Sequence, residues 1–166
     1  YYWTEEKILI PPPENSNGYK VLKRFILYQI FRTPKAGDYV NEMTNQTFQI
    51  IIEKYYPELW EKAKGGKIVN SEPVLFALSN SVDKEHLLNF LSCKLLVNLS
   101  DLPFVTSDAP VVLYNQLMEN FGVYTGATAI TAKGLQIFYP IHPRLMICLY
   151  DTEEYIFGNQ NEDCSS

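Results

Sequence analysis

The spacing of apolar residues changes part-way along the chain, and this change limits the possible folds more than any other feature of the sequence. Between about residues 19 and 93, apolar positions recur at the three- to four-residue spacing of helices. From about residue 95 onward, short apolar or β-branched runs alternate with Asp, Pro, Gly and Asn, which is typical of strands joined by turns. Helices followed by strands predict an α+β fold, with an N-terminal helical layer packed on a C-terminal, mainly antiparallel sheet.

Start and stop signals divide the N-terminal part into helices. The first is predicted over residues 19–33 and ends there because the residue before Pro34 avoids the helical region. Asp38 is the predicted N-cap of a second helix that reaches about Tyr56. The predicted inner stripe of this second helix comprises Val40, Met43, Thr47, Ile51 and Tyr55. Further helices are predicted from Pro57 to the Gly65-Gly66 pair, near residues 73–79, and from Asp83 to about Cys93.

The C-terminal part contains five short runs with the composition of strands. They are residues 95–99, 104–106, 111–114, 135–139 and 145–150. A small, polar, Thr-rich segment at residues 122–134 precedes the last two. This segment is either a mobile flap or a plain hairpin connection.

Size and composition exclude several classes of protein. The 166 residues predict a single domain, residues 1–166, and because the chain starts at Tyr1 without methionine we expect it to be the central and C-terminal part of a longer protein. The net charge of −5 argues against a general nucleic-acid clamp. Three scattered cysteines suit neither a disulfide framework nor a zinc site, which predicts a cytoplasmic protein with reduced thiols and no metal or other cofactor. No stretch is apolar enough to span a membrane.

Charge is distributed unevenly along the chain. Residues 15–37 contain five basic residues and no acidic one, whereas the residues after Arg144 contain five acidic residues and no basic one. The basic first helix therefore either meets phosphate groups or pairs with the acidic C-terminal segment of the same chain.

Three short motifs carry a family resemblance. Residues 25–34 read FILYQIFRTP, residues 104–111 read FVTSDAPV, and residues 136–145 read QIFYPIHPRL. In this order they resemble domain-of-unknown-function family 4238, which is found mostly in bacteria. The family pattern comprises a Gln-x-x-Arg-Thr-Pro helix end, a Thr-Ser-Asp-x-Pro turn and a Pro-Leu-Ser-Pro strand. The resemblance implies no known activity.

This sequence departs from the family pattern at two places. The resemblance implies an N-terminal segment with a His-Tyr-Val-Pro-like motif, which this sequence lacks, so a site that used that histidine is incomplete here. We expect the missing segment to pack on this chain. His142 stands where the family usually has serine or threonine, which argues against His142 as a shared catalytic base.

The first two motifs contain the candidate site. Gln29 and Arg32 share one face of the first helix with apolar residues, which predicts that both lie against the core and need polar partners there. Asp108 is the expected partner of Arg32, because a carboxylate accepts two hydrogen bonds from a guanidinium. Such a contact would latch the helix to the sheet. Alternatively, Asp108 caps its own turn and Arg32 caps the end of its helix.

Two functions are compatible with these residues. The first is a hydrolase for an anionic, phosphate-containing substrate, either a small molecule or nucleic acid, with Asp108 as general base, Arg32 as clamp and Gln29 as orienting amide. Thr106 and Ser107 would then bind the ligand through their hydroxyls. The second is a non-catalytic binding or regulatory module in which the same residues only latch helix to sheet.

Overall fold

The computed structural model of the chain describes residues 16–63, 65–122 and 126–156. Its helices are α1 (Asn17–Phe31), α2 (Pro34–Tyr55), α3 (Pro57–Ala63), α4 (Pro73–Ser81) and α5 (Gln116–Asn120), with a 3-10 turn at Glu85–Leu88. Its strands are β1 (Leu91–Val97), β2 (Val112–Tyr114), β3 (Gln136–His142) and β4 (Leu145–Asp151). The strands form one sheet in the order β1-β4-β3-β2, and every neighbouring pair is antiparallel. The predicted α+β fold is confirmed.

The hydrophobic core lies between α1 and one face of the sheet. Helix α1 begins after the N-cap Ser16, whose hydroxyl accepts a hydrogen bond from the Tyr19 amide. The fully or almost fully buried members of the core are Ile26, Leu27, Leu88, Leu91, Leu135, Ile137 and Leu149. At the start of α1, the Tyr19 hydroxyl donates to the Leu91 carbonyl at 3.0 Å. Apolar packing and this bond together fix α1 on the sheet.

Helices α2, α3 and α4 form a layer beside α1. Helix α2 contacts α1, α3 and α4, and α4 also contacts α1. Among the described residues of α2, only Gly37 is buried, at the point where α2 crosses α4. A Cβ atom at Gly37 would lie 3.1 Å from a methyl group of Val74, so glycine permits this close crossing.

Two predictions about α2 are wrong. The helix begins at Pro34 rather than after Asp38, because Thr33 is the N-cap and its hydroxyl accepts from the Ala36 amide at 3.3 Å. Proline at the first helical position suits this start. The predicted inner stripe does not face the core either: Met43 is 44% exposed and Tyr55 is 62% exposed. Periodicity identifies an apolar face but does not show what covers it.

The predicted helix from Asp83 to Cys93 is also wrong. Asp83 has a φ of 56°, in the left-handed region, so a regular helix cannot begin there. Only one 3-10 turn follows, and β1 starts at Leu91. Seven residues of β1 pair with β4, and this long-range pairing overrides the local helical spacing.

The predicted strand at residues 104–106 is a loop. The Phe104 amide donates to the Pro143 carbonyl at 2.8 Å, which holds the loop on the β3–β4 turn. Val105 and Thr106 are exposed and form no ladder. The other four predicted strands are confirmed, with ends shifted by a few residues.

The described part of the predicted flap, residues 126–134, is tied down by buried Asn115. The Asn115 amide nitrogen donates to the carbonyls of Ala127 at 2.7 Å and Lys133 at 2.8 Å. Its oxygen accepts from the Met118 amide and caps α5. These bonds favour a plain connection over a flap for this part; residues 123–125 lie outside the described residues.

Burial keeps the Cys148 thiol unreactive. The residue is 0% exposed, and loss of solvation raises its pKa to about 12. The thiol is therefore protonated at neutral pH, and Cys148 belongs to no disulfide. This agrees with the predicted reduced state, whereas Cys164 lies outside the described residues.

The basic residues of α1 include Arg24, which forms ion pairs within the helical part of the fold. Its guanidinium lies 2.8 Å from the Glu85 carboxylate and 3.1 Å from that of Asp83. Among the described residues, Arg24 therefore pairs with none of the acids after Arg144, which was one predicted role of the basic helix, and Glu162 and Asp163 lie outside the described residues. No helix in the described ranges combines the length and apolar character needed to cross a membrane.

We expect the Arg24–Glu85 pair to make stability depend on pH. The hydrogen bond from Arg24 is the main cause that lowers the Glu85 pKa below its usual 4.5. A lowered folded-state pKa gives stability that is present above the unfolded value and is lost as pH falls through the folded value. The melting temperature should therefore fall as the pH drops through the acidic range in which Glu85 becomes protonated in the folded protein, and it should fall less in Glu85→Gln. Equal falls in both proteins would contradict the assignment.

Candidate functional site

The end of α1 positions two of the predicted site residues. Gln29 lies in the last turn, and Arg32 is the C-cap, with its amide donating to the Tyr28 carbonyl at 3.0 Å. Thr33 then caps α2, so the chain turns sharply between the two helices. Arg32 is thereby held at the junction of α1 and α2.

The arginine joins α1 to the loop before β2. Its Nε donates to Gln29 Oε1 at 2.6 Å, and one Nη donates to the main-chain carbonyl of Asp108 at 2.8 Å. The structure therefore brings Gln29, Arg32 and Asp108 together, although the acceptor on Asp108 is its carbonyl rather than the expected carboxylate. We call these three residues the arginine latch.

The latch lies at the surface. Gln29 is half-buried, and Arg32 and Asp108 are exposed. The expectation that the guanidinium is buried against the core is therefore wrong, because Arg32 follows the last helical turn instead of facing the sheet. In the described ranges the Asp108 carboxylate accepts no hydrogen bond.

The two predicted ligand-binding hydroxyls lie on the same exposed loop. The Ser107 hydroxyl accepts from the Ala109 amide at 3.2 Å and lies 3.1 Å from the Ala109 carbonyl, to which it donates. Ser107 therefore caps the turn that Asp108 was expected to cap. Thr106 is exposed beside it.

The charge of Arg32 is not compensated by a neighbouring acid. Both of its acceptors are uncharged, and within the described parts of the chain no carboxylate lies within 4.0 Å of the guanidinium. Helix α2 starts immediately afterwards and has no acidic residue in its first turn. The positive end of its dipole therefore adds to the potential near Arg32. In the described residues Arg32 therefore carries a positive charge that is not ion-paired, although the exposed Asp108 carboxylate belongs to the residue whose carbonyl Arg32 contacts.

The contacts that the described residues give to the two histidines lie outside the latch. His86 Nδ1 lies 3.0 Å from the Asp83 carbonyl, and His142 Nδ1 accepts from the Arg144 amide in the β3–β4 turn. No group of three His, Cys, Asp or Glu side chains that could hold a metal ion occurs within the described ranges. The contacts of the described residues hold the Arg32 guanidinium in one orientation, but they do not orient the Asp108 carboxylate as a general base.

Sequence reasoning missed a second set of polar contacts around Gly134. The Gly134 amide donates to the buried Asp151 carboxylate at 2.9 Å, and its carbonyl accepts from the Tyr155 hydroxyl at 2.9 Å. The only signal in the sequence is the Asn-x-x-Met start of α5 at Asn115, which resembles a helix cap. These contacts join the loop before β3 to the end of β4 and the residues after it, and we assign them a structural role.

Comparison with known proteins gives a family but no activity. A family model described as a protein of unknown function, DUF4238, matches residues 13–164. Neither a search of curated proteins nor a search of solved structures found a match. The match covers nearly the whole chain and confirms the resemblance stated from the three motifs. This protein therefore belongs to the DUF4238 family.

Proposed function

We propose that the chain is a non-catalytic binding module and that Arg32 receives an anionic group of the ligand. One observation carries this proposal: the guanidinium is held in a fixed orientation by two uncharged acceptors, so its charge remains available. A side chain that is already oriented loses less conformational entropy when a ligand binds. The latch is then a support for binding as well as a contact between helix and loop.

The guanidinium retains donors for a ligand. Arginine has five N–H groups, and the latch uses two of them. The remaining donors can form paired hydrogen bonds to a phosphate or carboxylate group. Thr106 and Ser107 are exposed on the loop that supplies the Asp108 carbonyl, and their hydroxyls are the proposed secondary contacts.

The hydrolase alternative has less support. A general base must be placed within hydrogen-bond reach of the proton that it removes. The Asp108 carboxylate is exposed and no described residue orients it. We therefore assign Asp108 a role through its carbonyl.

The proposal also includes a bacterial, cytoplasmic setting. The buried thiol of Cys148, which forms no disulfide, is consistent with a cytoplasmic setting.

Titration with pyrophosphate and with a short single-stranded DNA tests the proposal. The source of the phosphate is left to the experiment, since a small molecule and a nucleic acid present the same group. We expect Arg32→Gln to weaken binding by about tenfold or more, because a charge-assisted pair is lost. Lys84→Gln removes the same charge from an exposed position elsewhere and should leave the affinity unchanged. Asp108→Asn keeps the carbonyl and should bind at least as tightly as the parent protein.

Three results would contradict the proposal. The first is failure of both probes to bind the parent protein at low salt. The second is equal loss of affinity in Arg32→Gln and Lys84→Gln, which would indicate non-specific attraction. The third is turnover of a phosphodiester that Asp108→Asn abolishes, which would establish the hydrolase instead.

A further inference from the structure

We propose that the anion site binds a nucleotide, with the phosphate groups on Arg32 and the base against the ring of Phe25. This inference rests on the proposed function and names the class of ligand. It starts from the face of α1 that carries Arg32, because an exposed aromatic ring lies on the same face as the guanidinium. A nucleotide combines an anionic group and a planar ring in one small molecule.

One row of residues on α1 supplies both contacts. Phe25, Gln29 and Arg32 follow one another at intervals of four and three residues, which places their side chains along one face of the helix. We call these three residues the α1 row. Phe25 and Arg32 are two turns apart, or roughly 10 Å along the helix axis. Because the ribose separates the base of a nucleotide from its phosphates, one molecule can contact both ends of the row.

The ring of Phe25 is accessible to a planar ligand. Phe25 is 44% exposed, whereas the next two residues of the helix, Ile26 and Leu27, are 0% exposed. Its ring packs against the ring of Tyr139 on β3, with the centroids 5.9 Å apart and an angle of 56° between the planes. This tilted contact supports the ring from the sheet, and the exposed part can receive a base. Bases stack on aromatic side chains because every base has a planar π face.

Gln29 lies between the two contacts and keeps donors for the ligand. Its Oε1 accepts from Arg32 Nε at 2.6 Å, and its amide nitrogen donates to none of the described residues. This bond fixes which way the amide points, because the Arg32 N–H can only donate. The two N–H groups of the Gln29 amide can therefore donate to acceptor atoms of the ribose or the base.

The loop that supplies the Asp108 carbonyl is supported at both ends. At one end the Phe104 amide donates to the Pro143 carbonyl at 2.8 Å, and at the other the Asp108 carbonyl accepts from Arg32 at 2.8 Å. Pro143 directly follows the strand that carries Tyr139. These bonds and the contact of the two aromatic rings tie α1, β3 and the loop together, and a site held in this way loses little entropy when a ligand binds.

Charge favours a free nucleotide over a nucleic-acid strand. A strand is held by several lysines and arginines that neutralise successive phosphates. Arg24, another basic residue of α1, is already paired with Glu85 and Asp83. The net charge of −5 also opposes the binding of a long polyanion. One oriented arginine suits the few phosphates of a free nucleotide.

Titration with ADP and with pyrophosphate tests the proposal, because both probes contain a diphosphate and only ADP carries a base. We expect ADP to bind the parent protein about tenfold more tightly, since stacking adds to the charged contact. Phe25→Leu keeps an apolar side chain against Tyr139 but removes the ring, so it should abolish this preference. Phe76→Leu makes the same exchange on α4, at a residue that is 49% exposed, and should keep the preference. Circular dichroism confirms that both variants remain folded.

Two further measurements use the parent protein. We expect nuclear Overhauser effects between the ring protons of Phe25 and the base protons of bound ADP. Phenyl phosphate, whose ring is joined to phosphate through a single oxygen, is too short to reach both ends of the α1 row and should bind more weakly than ADP.

The outcomes separate this inference from the proposed function. If pyrophosphate binds through Arg32 but ADP binds no more tightly, or if Phe25→Leu keeps the preference for ADP, the nucleotide assignment is wrong and the anion site remains. Tighter binding of phenyl phosphate than of ADP, or of a short single-stranded DNA than of ADP at physiological salt, would also overturn the assignment. If neither ADP nor pyrophosphate binds the parent protein, both proposals are wrong.

Discussion

Replacing Gly134 with alanine is expected to lower the free energy of unfolding by about 3 kcal/mol. Gly134 has a φ of +74°, which an L side chain rarely adopts. An added Cβ would also lie 2.8 Å from Leu117 Cβ and 3.0 Å from Asn115 Oδ1. The Asn115 side chain cannot move easily, because it caps α5 and donates to the carbonyls of Ala127 and Lys133 in the loop before Gly134. Leu117 Cβ cannot move easily either, because it belongs to α5 itself.

Gly122 supplies the matched control. Its φ is +68°, but an added Cβ would have no atom of the described residues within 4 Å. Gly122→Ala should therefore cost only the backbone strain, about 1 kcal/mol. Urea unfolding of both variants measures the difference. Equal losses would mean that the contacts around Gly134 are looser than described.

The second large effect is expected at the contact between α1 and the sheet. Leu27 is 0% exposed and belongs to the core cluster, so Leu27→Ala should lower the free energy of unfolding by about 3 kcal/mol through lost burial and a residual cavity. Val21 lies on the same helix and is 64% exposed. Val21→Ala should change stability by less than about 0.5 kcal/mol. Urea unfolding midpoints give both values.

This contact also positions the candidate site. Leu27, Gln29 and Arg32 belong to the same end of α1, so loosening α1 should disturb the bond from Arg32 to the loop before β2. A Leu27→Ala protein that lost as little stability as Val21→Ala would show that α1 is not anchored on the sheet. The position of Arg32 would then have no structural support.

The arrangement of the latch could be predicted in part from the sequence. The family resemblance and the spacing of Gln29 and Arg32 on one helix face indicated that they act together, and Asp108 was the expected partner. Residue type alone suggested the carboxylate as acceptor. Whether a carbonyl or a side chain accepts depends on the path of the loop, which local sequence does not encode. The same reason explains why Ser107, and not Asp108, caps the turn.

The largest errors concern residues whose environment is set by distant parts of the chain. The apolar spacing of α2 correctly predicted a helix, but the predicted inner stripe is mostly exposed rather than internal. The residues leading into β1 have helical spacing, yet pairing with β4 makes Leu91 and Cys93 part of a strand. Both outcomes depend on tertiary contacts, which override local propensity.

The most direct test of the central claim is the NMR signal of the Arg32 Nε–H group during a titration with pyrophosphate. The latch predicts a resolved signal that exchanges slowly with water, because this proton is hydrogen-bonded to Gln29. Anion binding predicts that the signal shifts and saturates, while Arg24, whose charge is already paired with Glu85 and Asp83, gives a signal that does not follow the same curve. An Arg32 signal that is unaffected at saturating pyrophosphate, or that behaves as a freely exchanging side chain, would contradict the proposal that a fixed Arg32 binds the anion.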